Sequence, residues 1–431
     1  MRLLVITYYW PPAGGPGVQR WLKTSKELKK KGVDVEILTL DENSATYPLK
    51  DVSLVLETEN ITVHKTKSIN WFHSYQNITR RKEVPFSGFA NQAGKPGPLQ
   101  KISRFIRGNF FLPDPRKGWN RFAVKEAIIL HAKKPYDAII TTGPPHSTHL
   151  IGKALKRRIN CLWFADFRDP WTDIYYYRQF YPTFLARHYD NHLERSVLRK
   201  SDMIITVSND LKRILNNKVP EVPKDKFLEI PNGYDPEDFS KTKTTSRNET
   251  FTLVYAGTLT LDYPVESLYS SLKIILNKSS NSLSLKIAGR PAEECVKYLY
   301  ELSNRYSNFQ FESLGYISHQ KSVKLMESSD MLLLLIPDLP NNKGILTGKI
   351  FEYIGSGRPI WGFGPKDGDA QDILQECKAG ELHDLPKSAA FALENHMNKA
   401  VEGASKIQRK KYTREGLAQK LLNQLLEKID H

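Results

Sequence analysis

In "LTGKIFEYIGSGRPIWGFG", residues 346 to 364, a lysine and a glutamate stand three places apart at the start of an apolar helical segment. Thr347 is placed to cap that helix, and Ile350, Phe351 and Ile354 fall on one face for burial. Lys349 and Glu352 share the other face. A helix start with unpaired backbone N–H groups, small residues and a lysine suits a diphosphate, and a carboxylate one turn later suits ribose hydroxyls. The same spacing also makes a solvent-exposed i, i+3 ion pair worth about 0.2–0.5 kcal/mol. On spacing alone both readings stand.

Three other stretches carry chemistry-bearing side chains. "YYWPPAGGPGVQR" places glycines after a first strand, which invites a dinucleotide-binding reading with Asp41 on the ribose. That reading fails on detail: "YWPPA" separates strand from glycines, and Arg20 stands where the third glycine is needed. "TTGPPHSTHLIG" sets His146 and His149 just past a strand, at the carboxyl edge where parallel sheets bind ligands. Packing histidines would read the same way. "FADFRDPW" flanks Arg168 with Asp166 and Asp169, either an internal ion pair holding a loop or carboxylates offered to hydroxyls. "DGD" at 367 to 369 lies in a polar loop and reads as a turn. Cys161, Cys295 and Cys377 are too widely spaced for a zinc pattern or a disulfide framework, so they read as packing residues in a reducing compartment. No metal site and no cofactor is expected.

The elements that must position these residues alternate between apolar strands and amphipathic helices, twice over, as parallel strands joined by crossover helices do. The first set includes 2–9, 34–40, 137–143, 160–167, 202–208 and 226–233; the second, 251–257, 284–289, 309–315, 331–337 and 358–363. The polar stretch "YDPEDFSKTKTTSRNET" separates them as a linker. The expected fold class is therefore α/β, with two Rossmann-like, doubly wound domains facing across a cleft. Their expected spans are 1–240, with an irregular insertion at about 66–118, and 247–410. Residues 411–431 are expected to form a helix whose leucines return to the first domain.

Composition narrows the class. The 431 residues are 40% hydrophobic and 26% charged, ordinary for a soluble enzyme. The longest apolar run, "MLLLLI", is far short of a membrane span, and the first residues lack a signal peptide's apolar region, so a cytoplasmic location is expected. With 63 Lys+Arg against 47 Asp+Glu, the net charge of +16 favours anionic partners. No zinc-finger spacing or RNP-type motif is present, which argues against nucleic acid. Basic and aromatic residues interleave in "KISRFIRGNFFLPDPRKGW" and "YYYRQFYPTFLARHY"; such stretches suit a peripheral seat on an anionic membrane and equally suit aromatic packing.

Taken together, "GKIFEYIGSGRPI", "YYWPPAGGPGVQR", "SDMIITVSNDLKRIL", "IPNGYDPEDF", "YAGTLT" and "LGYISHQKSVKLMESSDMLLLLI" resemble, in order and spacing over residues 1 to about 365, the GT-B-fold glycosyltransferases of family four. "LPDPRKGW", "TTGPPHSTHLIG" and "FADFRDPW" resemble a subgroup common in bacterial surface-polysaccharide clusters. The resemblance implies retaining transfer from a nucleotide sugar to a glycan or lipid-linked acceptor, with the donor mainly in the C-terminal domain and the acceptor mainly in the N-terminal one. It implies Glu352 on the ribose, the Gly348, Lys349 and Ile350 neighbourhood near phosphate, and Gly14 and Gly15 beside the diphosphate or transferred sugar. His146 and Asp166 then take the catalytic places, and Arg168, Asp169 and His149 acceptor-side ones, with no protein nucleophile assigned. Two departures stand out. Gly344 replaces the first of the family's paired glutamates, and Thr258 and Tyr263 replace its arginine and lysine, which leaves Arg290, Lys349 and, more weakly, Lys343 as donor-side cations. A nucleotide-sugar 2-epimerase of the same fold, or a non-catalytic sugar-nucleotide or glycan-binding protein, are the alternative readings.

Overall fold

The structure, a computed structural model, describes residues 1–45, 47, 50–69, 97–239, 250–399 and 403–430. The chain divides into two compact units, Met1–Ile230 with Ala418–His431, and Pro231–Leu417.

The first unit begins β1 (Arg2–Ile6), α1 (Pro16–Lys30), β2 (Asp34–Leu40), β3 (Thr62–Thr66), α2 (Pro98–Phe110), α3 (Asn120–Lys133) and β4 (Ala138–Gly143). It continues with α4 (Ser147–Leu155), β5 (Leu162–Phe167), α5 (Phe184–Lys200), β6 (Met203–Thr206), α6 (Asn209–Lys218) and β7 (Phe227–Glu229). All seven strands pair in parallel in the order β3-β2-β1-β4-β5-β6-β7. The order reverses between β1 and β4. Strands such as "AIITTG" are buried at every position, as parallel strands covered on both faces must be.

The second unit carries β8 (Phe251–Ala256), α7 (Val265–Lys278), β9 (Leu283–Ala288), α8 (Glu293–Arg305), β10 (Phe309–Gly315), α9 (His319–Ser328) and β11 (Met331–Leu335). After these come α10 (Gly348–Ser356), β12 (Ile360–Phe363), α11 (Asp369–Cys377), β13 (Gly380–His383), α12 (Pro386–Asn398) and α13 (Lys406–Arg409). Its parallel order is β10-β9-β8-β11-β12-β13, with the reversal between β8 and β11. Side chains alternate across the sheet: Leu253, Tyr255, Leu333 and Leu335 enter one buried cluster, while Val254, Ala256, Leu332 and Leu334 enter the other. The last helix, α14 (Arg414–Asp430), sinks Ala418, Leu421, Leu422 and Leu425, and from Ala418 on it belongs to the first unit.

Several particulars differ from the sequence reading. The stretch read as an irregular insertion contains the end of β3 and the 13-residue helix α2; residues 70–96 of it lie outside the described residues. Most of the linker, 240–249, lies outside them too. The edge strands β3 and β13 were not anticipated. Both are short, and neither shows a run of buried apolar residues.

Candidate functional site

In each unit the chemistry-bearing residues gather at the carboxyl edge of the sheet, beside the strands where the order reverses, the place open parallel sheets offer to ligands.

In the second unit, α10 is hung on β8. The Ala256 amide donates to the Tyr353 hydroxyl (2.9 Å), and Lys349, one turn earlier on the same face, donates from Nζ to the Tyr255 hydroxyl (2.6 Å). Tyr255 in turn donates to the Thr258 carbonyl (2.6 Å). The ammonium lies 4.0 Å from the Tyr255 ring centroid and 5.5 Å from that of Tyr263, so the aromatic at position 263 faces the cation. Beneath it, Gly257 holds φ at +129°, and a Cβ there would sit 3.0 Å from Lys349 Nζ. Burial depresses the Lys349 pKa to about 7, partly offset by the nearby Glu352 carboxylate.

Thr347 occupies the cap position of α10 but makes no capping hydrogen bond, and its buried Oγ1 has no partner. The Ile350 amide donates to the Thr347 carbonyl (3.1 Å), and those of Gly348 and Lys349 are left for another acceptor. Gly348 is exposed, whereas the Ile350 side chain is wholly buried, so only its backbone can approach a ligand. Glu352 turns away from Lys349 toward His319, whose Nδ1 is 3.9 Å from Oε1, while His319 Nε2 lies 3.2 Å from Asp238 Oδ2. Burial raises the Glu352 pKa, opposed by His319 and Arg414. The solvent-exposed Lys349–Glu352 pair is therefore not formed. Thr258 is exposed, and Arg290, also exposed, holds its guanidinium 5.7 Å from the Tyr316 ring centroid. Lys343 pairs with Asp367 of "DGD", and Asp369 opens α11.

In the first unit, Gly15 precedes α1 with φ +102° and ψ 167°, and a Cβ there would meet nothing within 4 Å, which leaves open space above the backbone. Asp166 lies below that edge, fully buried. Its carboxylate accepts from Arg20 Nη2 (2.8 Å), Trp21 Nε1 (2.7 Å) and Thr142 Oγ1 (2.8 Å), so it locks α1 to β4 and β5 with its hydrogen-bonding capacity taken up. Arg20, where a dinucleotide fold needs glycine, is thus the buried partner of Asp166. Arg168 pairs with neither aspartate: it donates from Nε to the Gly143 carbonyl (3.2 Å) and from Nη2 to the Pro144 carbonyl (2.5 Å), bracing the loop after β4. Asp169 is half-buried, and burial raises its pKa against the pull of Arg168.

His146 stacks on Trp171, centroids 5.1 Å apart and planes 7° from parallel. Burial drops its pKa to about 4, so the ring is neutral at pH 7, and its buried Nδ1 has no partner. His149 is fully buried, shares a hydrogen bond with Thr141 Oγ1 through Nδ1 (3.0 Å) and stacks on Phe167 at 4.3 Å. Asp114 fastens the start of α4, accepting from the Ser147 amide and hydroxyl at 2.8 Å each. His146 and Asp166 share no hydrogen bond. Tyr255, His319 and Trp171 were missed in the sequence because each becomes a site residue only through a long-range contact. Among the described residues, no group of three or more His, Cys, Asp or Glu is placed to hold a metal ion.

The Glycosyltransferase Family 4 model matches residues 17–238, a little over half of the chain. The chain belongs to glycosyltransferase family 4. As a member of that family it is a nucleotide-sugar-dependent glycosyltransferase. A search of curated protein sequences gives no match. Among solved structures it is similar to sucrose-phosphate synthase from Thermosynechococcus elongatus (15% identity, TM-score 0.58, covering 100% of this chain and 99% of that one). It is also similar to the apo form of the lipopolysaccharide outer core galactosyltransferase WaaB (13%, 0.59, 99% and 100%) and to Anabaena HepE in complex with UDP and glucose (14%, 0.56, 99% and 100%). At these identities the likeness shows the fold, which is GT-B.

Proposed function

We propose that this family 4 enzyme transfers a sugar, with retention of configuration, from a nucleotide sugar held at the carboxyl edge of the second sheet to a glycan or lipid-linked acceptor held at that of the first, in bacterial surface-polysaccharide synthesis. The observation that carries the donor assignment is Lys349, set at the open first turn of α10 and over the Gly257 turn, a cation beside a helix N-terminus as a diphosphate needs. Lys349 and the Gly348 amide take the diphosphate, with Arg290 as the second cation in place of the residues replaced by Thr258 and Tyr263. Glu352, kept near His319, accepts from the ribose hydroxyls. Gly14 and Gly15 let backbone approach the transferred sugar, His146 offers its neutral Nδ1 to a hydroxyl, and Asp169 orients the acceptor. Asp166, Arg168 and His149 act behind them as positioning residues.

In the transfer the bond from the anomeric carbon to the leaving phosphate oxygen breaks, the acceptor oxygen bonds that carbon on the same face, and its proton passes to the leaving phosphate. The protein's part is to stabilise the departing diphosphate. The names of the structural neighbours support a surface-glycan setting and make UDP the first nucleotide to try.

A thermal-shift panel of UDP, GDP, ADP, CMP and their sugar conjugates tests this. A cognate ligand at about 100 times its Kd stabilises by about 2.7 kcal/mol. Glu352→Ala is expected to remove most of that shift while leaving the unliganded transition in place. Unchanged affinity in that variant would remove the ribose assignment.

A further inference from the structure

Helix α2 is turned inside out. Its apolar stripe faces solvent, with Leu99 83% and Phe110 68% exposed and Ile102, Phe105 and Ile106 between them, whereas Arg104 and Gly108 are buried. The buried side lies against the start of α5: Asn109 donates from Nδ2 to the Tyr181 carbonyl (3.1 Å) and accepts from the Thr183 amide (2.8 Å). A Cβ on Gly108 would fall 2.2 Å from the Phe180 carbonyl oxygen, which explains the glycine. Phe184 and Leu185, 71% and 77% exposed, carry the apolar surface onto α5.

Beyond them α5 presents cations. Arg187, Arg195 and Arg199 line one groove along its outer side, with the His188 and His192 rings among them. The helix has two carboxylates, and both are sunk: Asp190 accepts from Trp171 Nε1 (2.8 Å) and the Tyr177 hydroxyl (2.9 Å), and Glu194 from Thr172 and Lys218 (2.6 Å each). Helix α2 contains no carboxylate at all. The two helices thus expose apolar and cationic side chains and no anionic one. Glu221, paired with Arg199 at 2.5 Å, meets this surface only at its far end.

We propose that the α2–α5 face docks on an anionic lipid membrane. Apolar side chains of this length enter the headgroup boundary while arginines engage phosphate, a combination that bilayers reward and water does not. A second copy of the same face would set arginine against arginine. The surface is also tied to the candidate site: α2 runs into the loop of Asp114, which fastens the α4 start next to His146, and Asp190 of α5 holds the Trp171 on which His146 stacks. Delivery of a lipid-linked acceptor to His146 rests on the function proposed above; docking itself does not.

The test is sedimentation of the full chain with phosphatidylcholine vesicles, alone or with about a third phosphatidylglycerol, without nucleotide or acceptor. The protein is expected to sediment with the anionic vesicles only, and less as salt rises. Arg187→Gln with Arg195→Gln is expected to weaken partitioning by roughly 10- to 30-fold, and Ile102→Asp to abolish it. Both variants change exposed positions, so each should keep its circular dichroism and its nucleotide-induced thermal shift. No sedimentation with anionic vesicles at low salt, or sedimentation unaffected by either variant, overturns the proposal. So does a dimer that Ile102→Asp dissociates without vesicle binding, which would give the face to a second copy. None of these outcomes touches the nucleotide shift, so a failure here is distinct from failure of the sugar-transfer reading.

Discussion

Lys349 and Glu352 stand three residues apart on α10, yet the fold gives them different company: two tyrosine rings for the lysine, a histidine and an aspartate for the glutamate. Desolvation lowers the lysine pKa to about 7, a cost to the charged form that a bound diphosphate removes. The linkage has a definite sign. Below pH 7 the unliganded protein already carries the proton, so affinity for a nucleotide sugar is flat. Above pH 7 the ligand must bring a proton with it, and affinity falls by up to about tenfold per pH unit until the raised pKa of the complex is passed. Calorimetric titration between about pH 6 and pH 9 should show this fall together with proton uptake, and Lys349→Arg, which keeps its charge throughout, should flatten it. A flat profile in the unaltered protein would mean that Lys349 does not meet the diphosphate.

Among elements, the contact that fixes the first site is the one between α1, β4 and β5 through Asp166. Asp166→Asn keeps the side chain's shape but takes from Arg20, only 5% exposed, the carboxylate it pairs with. Removing one partner of a buried pair costs about 3–5 kcal/mol. A chemical denaturation midpoint should report that loss, and a change below about 1 kcal/mol would show that the pair is not buried as described. The case also marks where the sequence stops being legible. The strands and crossover helices were readable because their periodicity is local, and so was the position of Lys349 at a helix start. That Asp166 answers Arg20 across 146 residues, and not a hydroxyl in solution, follows only from the register of β4 on β5. Helix α2 was hidden for a different reason. Its apolar spacing is present, but the flanking glycines and prolines masked it, and the polar face it buries is the reverse of what an amphipathic helix usually does.

For the whole molecule, the first six strands of each unit follow the same order, so each sheet has one reversal point and each reversal point carries glycines and charged side chains. What distinguishes the units is the chain's course: the last helix leaves the second unit after Leu417 and completes the first. The first unit therefore depends on residues made more than 180 positions after its last strand, and its stability should respond to a change there. Leu425, fully buried on α14, is the direct probe. Leu425→Ala is expected to cost about 2–5 kcal/mol, the cavity included. By hydrogen exchange the loss should fall on the first sheet, with amides of β8 and β11 keeping their protection. If β8 and β11 lose protection equally, α14 supports the second unit as much as the first, and the division of the chain at Ala418 is not an energetic one.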